Sequence, residues 1–171
     1  MSDATKVFSS KQESLLASEL GWGVISGSGS RPGAPGDISC DDWLGECKTH
    51  EAPGNKIFFD ALVWDKIQKE SVVKHRSPAL LVDDGSQTTK DTWVLCFAHS
   101  LNLSRCLVAP LNFSVRKNIS FSSDKGHDYL DDVFKKNGGG IAFDYAIYGT
   151  NWCDKEVCIL PFRVFKEIYN L

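Results

Sequence analysis

Apolar positions along the chain change period several times, and each change marks an element. In SSKQESLLASEL, residues 9–20, Glu13, Leu16, Ala17 and Leu20 recur at i, i+3, i+4 and i+7, which predicts a helix with Glu13 on its inward face. Ser10 with Glu13 three residues later fits a capping box, and Gly21 is a natural stop. WGVIS then reads as a short strand. GSGSRPGAPG must be a loop, because six of its residues are Gly or Pro. DISC and WLGECK read as a hairpin closed by Asp41 and Asp42. From Ile57 to about His75, the spacing of Ile57, Ala61, Trp64, Ile67 and Val72 predicts one long helix, ended near Pro78.

ALLVDD and TWVLCFAH are predicted strands around the polar turn DDGSQTTKD. RCLVAP, EVCILPF and IAFDYAIY are further strand candidates; the last alternates Ile141, Phe143, Tyr145 and Ile147. NGGG before Ile141 is a loop. The core order of helix, three strands, helix and two strands predicts an α/β fold, a mixed sheet flanked by helices, with extra C-terminal strands. At 171 residues one domain is expected, with its core over about residues 9–98 and an extension over 99–171.

Composition adds little to the fold and more to function. The chain is 42% hydrophobic and 24% charged, ordinary for a globular protein. No apolar run approaches the roughly 20 residues of a membrane span, and MSDATKVFSS has no signal-peptide core. A cytoplasmic protein without membrane contact is the expectation. Its six cysteines form no C-x-x-C pair and are expected to be reduced, small buried hydrophobes. The net charge of −3 requires any polyanion site to be a local patch.

Chemistry concentrates in RPGAPGDISCDDWLGECKTH. With a two-residue loop at Asp41 and Asp42, cross-strand partners sum to 83, so Asp37 faces Glu46. Lys48 projects from the same face as Glu46, while Ile38, Cys40, Trp43, Gly45 and Cys47 take the other. Opposed carboxylates repel unless positive charge sits between them. Hard carboxylate oxygens are suitable ligands for Mg²⁺, which would activate a water and neutralise a phosphoryl oxygen. Lys48 would then stabilise the transition state, and Glu13 adds a third carboxylate. The plainer alternatives are a solvated acidic hairpin edge for the trio and a cap for Glu13.

The run of a helical Glu13, the loop SGSGSRPGAPGD ending at Asp37, and ECK carrying Glu46 and Lys48, followed by a helix and strand, resembles the PD-(D/E)xK nuclease superfamily. Within it, small Holliday-junction resolvases of archaeal and viral type are the nearest in pattern. The resemblance covers roughly residues 9–98 and implies a restriction-endonuclease-like core. It further implies Mg²⁺-dependent cleavage of DNA, with Mn²⁺ as a substitute. Glu13, Asp37 and Glu46 would bind the metal and Lys48 would serve the attacking water. Ser28, Ser30 and Arg31, in the loop before Asp37, are candidate DNA contacts. Branched DNA is the expected substrate and a C2 homodimer the expected assembly, since cutting two strands needs two sites. A restriction or nicking enzyme, or a binding module that lost catalysis on the same fold, are the alternatives.

Other polar residues receive plainer readings. Gln68 is placed on a solvated helix face, although a helical Gln assists some superfamily members. Lys74, His75 and Arg76 complement a helix dipole or touch DNA. Asp83 and Asp84 with Gly85 form a turn, and Asp131 and Asp132 lie on a helix surface. His99 and His127 are structural or surface residues, and Trp22, Trp64 and Trp93 belong to the core.

Overall fold

Polar–apolar alternation is weak in the central strands because both faces of their sheet are covered. WLGECK is buried at its first five positions, and SPALLVD at its last six. The computed structural model of the chain describes residues 3–27, 35–50, 53–54, 56–112, 117–137 and 139–169, with side chains from residue 7. The elements are α1 (Asp3–Leu20), β1 (Gly23–Val24), β2 (Ile38–Ser39), β3 (Trp43–Lys48), β4 (Lys56–Phe59), α2 (Ala61–Val73), β5 (Ser77–Asp83), β6 (Thr92–Phe97), β7 (Cys106–Pro110), β8 (Ile119–Ser122), α3 (Ser123–Lys136), β9 (Tyr145–Trp152), β10 (Lys155–Pro161) and α4 (Phe162–Ile168).

The protein is α/β, with a mixed sheet flanked by helices. Eight strands run in the order β1-β2-β3-β5-β6-β10-β9-β7, and β4 pairs with β8 separately. β3 and β5 are parallel, as are β7 and β9, and the other pairs are antiparallel. The C-terminal strands extend the same sheet, since β10 lies directly against β6. Among the described residues, no helix is long and apolar enough to cross a membrane.

Period-two alternation sorts the strand residues into two cores. On one face Ile38, Trp43, Cys47, Ala79, Leu81, Val94 and Cys96 pack with Leu16, Ala17 and Leu20 of α1 and with Phe162 and Phe165 of α4. On the other Leu44, Leu80, Val82, Trp93 and Leu95 meet Trp64 and Ile67 of α2 and Leu130 of α3. Each large apolar side chain so buried contributes roughly 1.5–3 kcal/mol.

Several sequence expectations change. The first helix starts at Asp3, so Ser10 and Glu13 are interior positions and the capping box does not form. The long helix from Ile57 is two elements. Lys56–Phe59 pairs with Ile119–Ser122, and Asp60 caps α2 by accepting the Leu62 N–H at 2.7 Å. The strand read from Ile141 begins only at Tyr145, and Ile141 is 94% exposed. It turns into β10 through Cys153 and Asp154, both at positive φ, in a two-residue hairpin loop. That turn leaves Cys153 exposed, unlike Cys47, Cys96, Cys106 and Cys158, and all six thiols are free.

Candidate functional site

The hairpin register predicted from the sequence is present: Ile38 pairs with Gly45 and Ser39 with Leu44. β2 is two residues long, so it covers only the first half of β3. β5 pairs the whole of β3 on its other side, from Trp43 to Lys48. The last backbone rung toward β2 runs from Asp37 N to Gly45 O at 2.7 Å. Beyond it, side chains replace the missing strand. Asp37 Oδ2 accepts the Cys47 N–H at 2.8 Å. Gln12 of α1, itself buried, donates Nε2 to the Lys48 carbonyl at 3.3 Å.

Glu46 shares the face of Leu44, toward α2, and is 4% exposed. A carboxylate buried so deeply needs compensating charge. Two ammonium groups supply it. Lys48 Nζ lies 2.6 Å from Oε1, and Lys66 Nζ of α2 lies 3.1 Å from Oε2. Lys66 also approaches Glu70 at 3.8 Å, and Glu70 Oε2 accepts the Gly36 N–H at 3.0 Å. The chain Lys48–Glu46–Lys66–Glu70–Gly36 thus ties α2 to the backbone immediately before Asp37. Gly36 sits at φ +61°, and a Cβ there would come within 2.9 Å of Gly45 O and Leu44.

Glu13 reaches the group from the α1 side of the sheet. Burial, then the Asp37 carboxylate, and more weakly Glu46 push its acid above the ordinary glutamate range, against the pull of Lys48. Burial works to lower the Lys48 ammonium, but the charge and hydrogen bond of Glu46, with Asp37, outweigh it and raise the group. Lys48 is therefore cationic at neutral pH and suits charge stabilisation, not proton abstraction. Burial and the same three carboxylates push the Cys47 thiol well up, so it is neutral.

The structure thus draws Glu13, Asp37, Glu46 and Lys48 into one electrostatic neighbourhood where β2 and β3 part. Among the described residues, no group of three or more His, Cys, Asp and Glu stands at metal-ligand spacing. The donors are hard carboxylate oxygens, the kind that Mg²⁺ takes. Both Glu46 oxygens are occupied by ammonium groups, so a divalent ion there requires Lys66 or Lys48 to yield one of them.

The remaining candidates fall elsewhere. Ser28, Ser30 and Arg31 lie outside the described residues. Gln68 donates to its own helix at Trp64 O. Lys74, His75 and Arg76 follow α2 into Ser77, whose N–H bonds Asp42 O, at the end of β3 remote from Lys48. His99 stacks on Phe97, and His127 packs against Trp93. Asp83 and Asp84 do hold the expected turn, through Gly85 N and Ser86 N. Asp131 and Asp132 are exposed on α3.

Sequence reasoning missed Gln12, Lys66 and Glu70 as members of this network. Lys66 and Glu70 were legible as an i, i+4 pair on a helix. Their reach to Glu46 and Gly36 depends on how α2 docks, which spacing does not encode. No protein family matches the chain, and no significant match emerges among curated proteins or solved structures.

Proposed function

We propose that this chain is a metal-dependent DNA endonuclease of PD-(D/E)xK type, with a restriction-endonuclease-like core and branched DNA as substrate. The observation that carries the reading is the convergence of Asp37, Glu46 and Lys48 at the point where β2 and β3 separate, with Glu13 coupled to them. Strand separation at that point leaves the edge of β3 covered by side chains instead of backbone.

Asp37 and Glu46, with Glu13, would hold Mg²⁺, which when bound supplies Lewis-acid charge and a water of lowered pKa. The protein's own part is positioning and electrostatics. Lys48 donates toward the phosphoryl oxygen on which negative charge grows. Water adds to phosphorus as one ester P–O bond breaks, and the departing alkoxide takes up a proton from solvent water. The attacking water loses its proton to solvent, and Glu13, a weaker acid than usual because of burial and Asp37, would complete the carboxylate set that holds the ion. Two such sites in a C2 homodimer would cut two strands.

A second reading is a binding module without catalysis. It is favoured by one observation: Glu46 is held by two ammonium groups, an arrangement that is already neutralised. The deciding assay is purified protein with Mg²⁺ against a four-way junction, linear duplex and single strand, beside Lys48→Ala and Asp37→Asn. Junction cleavage abolished in both variants supports the nuclease. Absence of cleavage, with Mg²⁺ binding identical in native protein and Asp37→Asn, supports the binding module.

A further inference from the structure

A cavity of about 220 Å³ opens beside Lys48. Taking about 30 Å³ per water, it has room for roughly seven waters or one planar heterocycle. Phe58 of β4, Val63 of α2, and Leu80 and Val82 of β5 give it apolar walls, and Lys48, Asp60 and Asp83 give it three charged ones. Asp83 is fully buried. Its Oδ1 accepts from Thr49 Oγ1 at 2.5 Å and Gly85 N at 2.6 Å, and the Gln87 backbone N–H also bonds the carboxylate.

The geometry points to a nucleobase site: one unstacked base of the DNA substrate enters this cavity, against Phe58 and Val63, while its phosphate stays at Lys48. The inference rests on the nuclease reading and deepens it by naming how the substrate is selected. Three features of the cavity favour a base over other ligands. Apolar and aromatic walls suit the π-face that every base carries. The half-buried Asp60 in the wall disfavours a second phosphate and favours an exocyclic amino group, as on cytosine N4. Lys48 belongs both to the cavity wall and to the Glu46 site, so the two moieties are one side chain apart. A base fills such a pocket only after leaving the stack, which costs least where DNA is single-stranded or branched.

The test needs no cleavage. Fluorescence anisotropy in metal-free buffer compares labelled oligodeoxycytidine, oligothymidine and an abasic strand of equal length. Oligodeoxycytidine is expected to bind about tenfold more tightly than the abasic strand, with oligothymidine weaker than oligodeoxycytidine. Val63→Trp, which fills the cavity, should bring oligodeoxycytidine to the abasic level; if that variant fails to fold, Phe58→Ala takes the same comparison. Equal affinities for all three strands, or no binding, overturn the site. So does a folded Val63→Trp that keeps the preference. A base preference in a protein that never cuts DNA upholds the cavity while removing the nuclease reading. Junction cleavage without base preference does the reverse.

Discussion

Asp37 Oδ2 accepts the backbone N–H of Cys47 at 2.8 Å, one step past the last rung that β2 makes to β3. A carboxylate there is structural and electrostatic at once. It satisfies a buried donor that would otherwise have no strand to meet, and it brings negative charge beside Glu13 and Lys48.

The two roles separate by substitution. Asp37→Asn keeps an oxygen for the Cys47 N–H and should fold with near-native stability. Asp37→Ala leaves that donor unsatisfied and should lose about 1–3 kcal/mol in a denaturant melt. Both should lose Mg²⁺-dependent cleavage, so activity and stability part company only in the Asn variant.

Lys48→Ala and Lys66→Ala test the clamp on Glu46. Each ammonium is about half exposed, so each single loss should cost little, about 0.2–1 kcal/mol. The double variant should cost more than the sum, because a 4%-exposed carboxylate then loses both cations. Calorimetric titration should show Mg²⁺ binding more tightly to Lys66→Ala than to native protein. Weaker binding would mean that Lys66 does not compete with the ion.

Gly36→Ala should destabilise the protein by about 1–3 kcal/mol, since the residue sits at φ +61° against Gly45 O. The damage should reach Asp37, the next residue, and lower cleavage per folded molecule. Thermal melting and activity measured on the same sample check this.

Asp83 predicts a pH dependence. Burial, and more weakly Asp84, raises its acid above the ordinary 3.8, against the pull of the Thr49, Gly85 and Gln87 hydrogen bonds. The folded state therefore holds the proton more tightly than the unfolded chain. Stability is fully favoured below the ordinary value and declines as pH rises through the raised one. Asp83→Asn has no such decline. The melting-temperature difference, variant minus native, should grow from acid toward neutral pH; a constant difference would show that Asp83 titrates normally.

Thiol labelling reads the fold directly. Cys153, exposed in its hairpin turn, should react first with a maleimide. Cys47 and Cys96, whose thiols burial pushes well up, and Cys158, pushed up to about 12, should react only after unfolding.

Local chemistry made much of this protein legible in advance. The register about Asp41 and Asp42 follows from face separation: a one-residue slip would turn Ile38 away from the α1 core and onto the face of Glu46. The strands SPALLVD and TWVLCF announce themselves as continuous apolar runs, because a sheet covered on both faces has no polar side. Where sequence reading erred, a nonlocal contact decided. KIFF has helical spacing with the residues after it, yet pairs with the distant ISFS, Lys56 opposite Ser122 and Phe59 opposite Ile119. Asp60, a legible N-cap, marked the true helix start.

Residue types and spacing alone determined that two carboxylates and a lysine would gather on one short hairpin, because pleat alternation is a property of the chain itself. Tertiary structure decided their chemical setting. How far β2 extends, and how α1 and α2 dock on opposite faces, set which side chains finish the edge of β3 and which cations meet Glu46. Those are contacts between residues far apart in the chain, and no local period carries them.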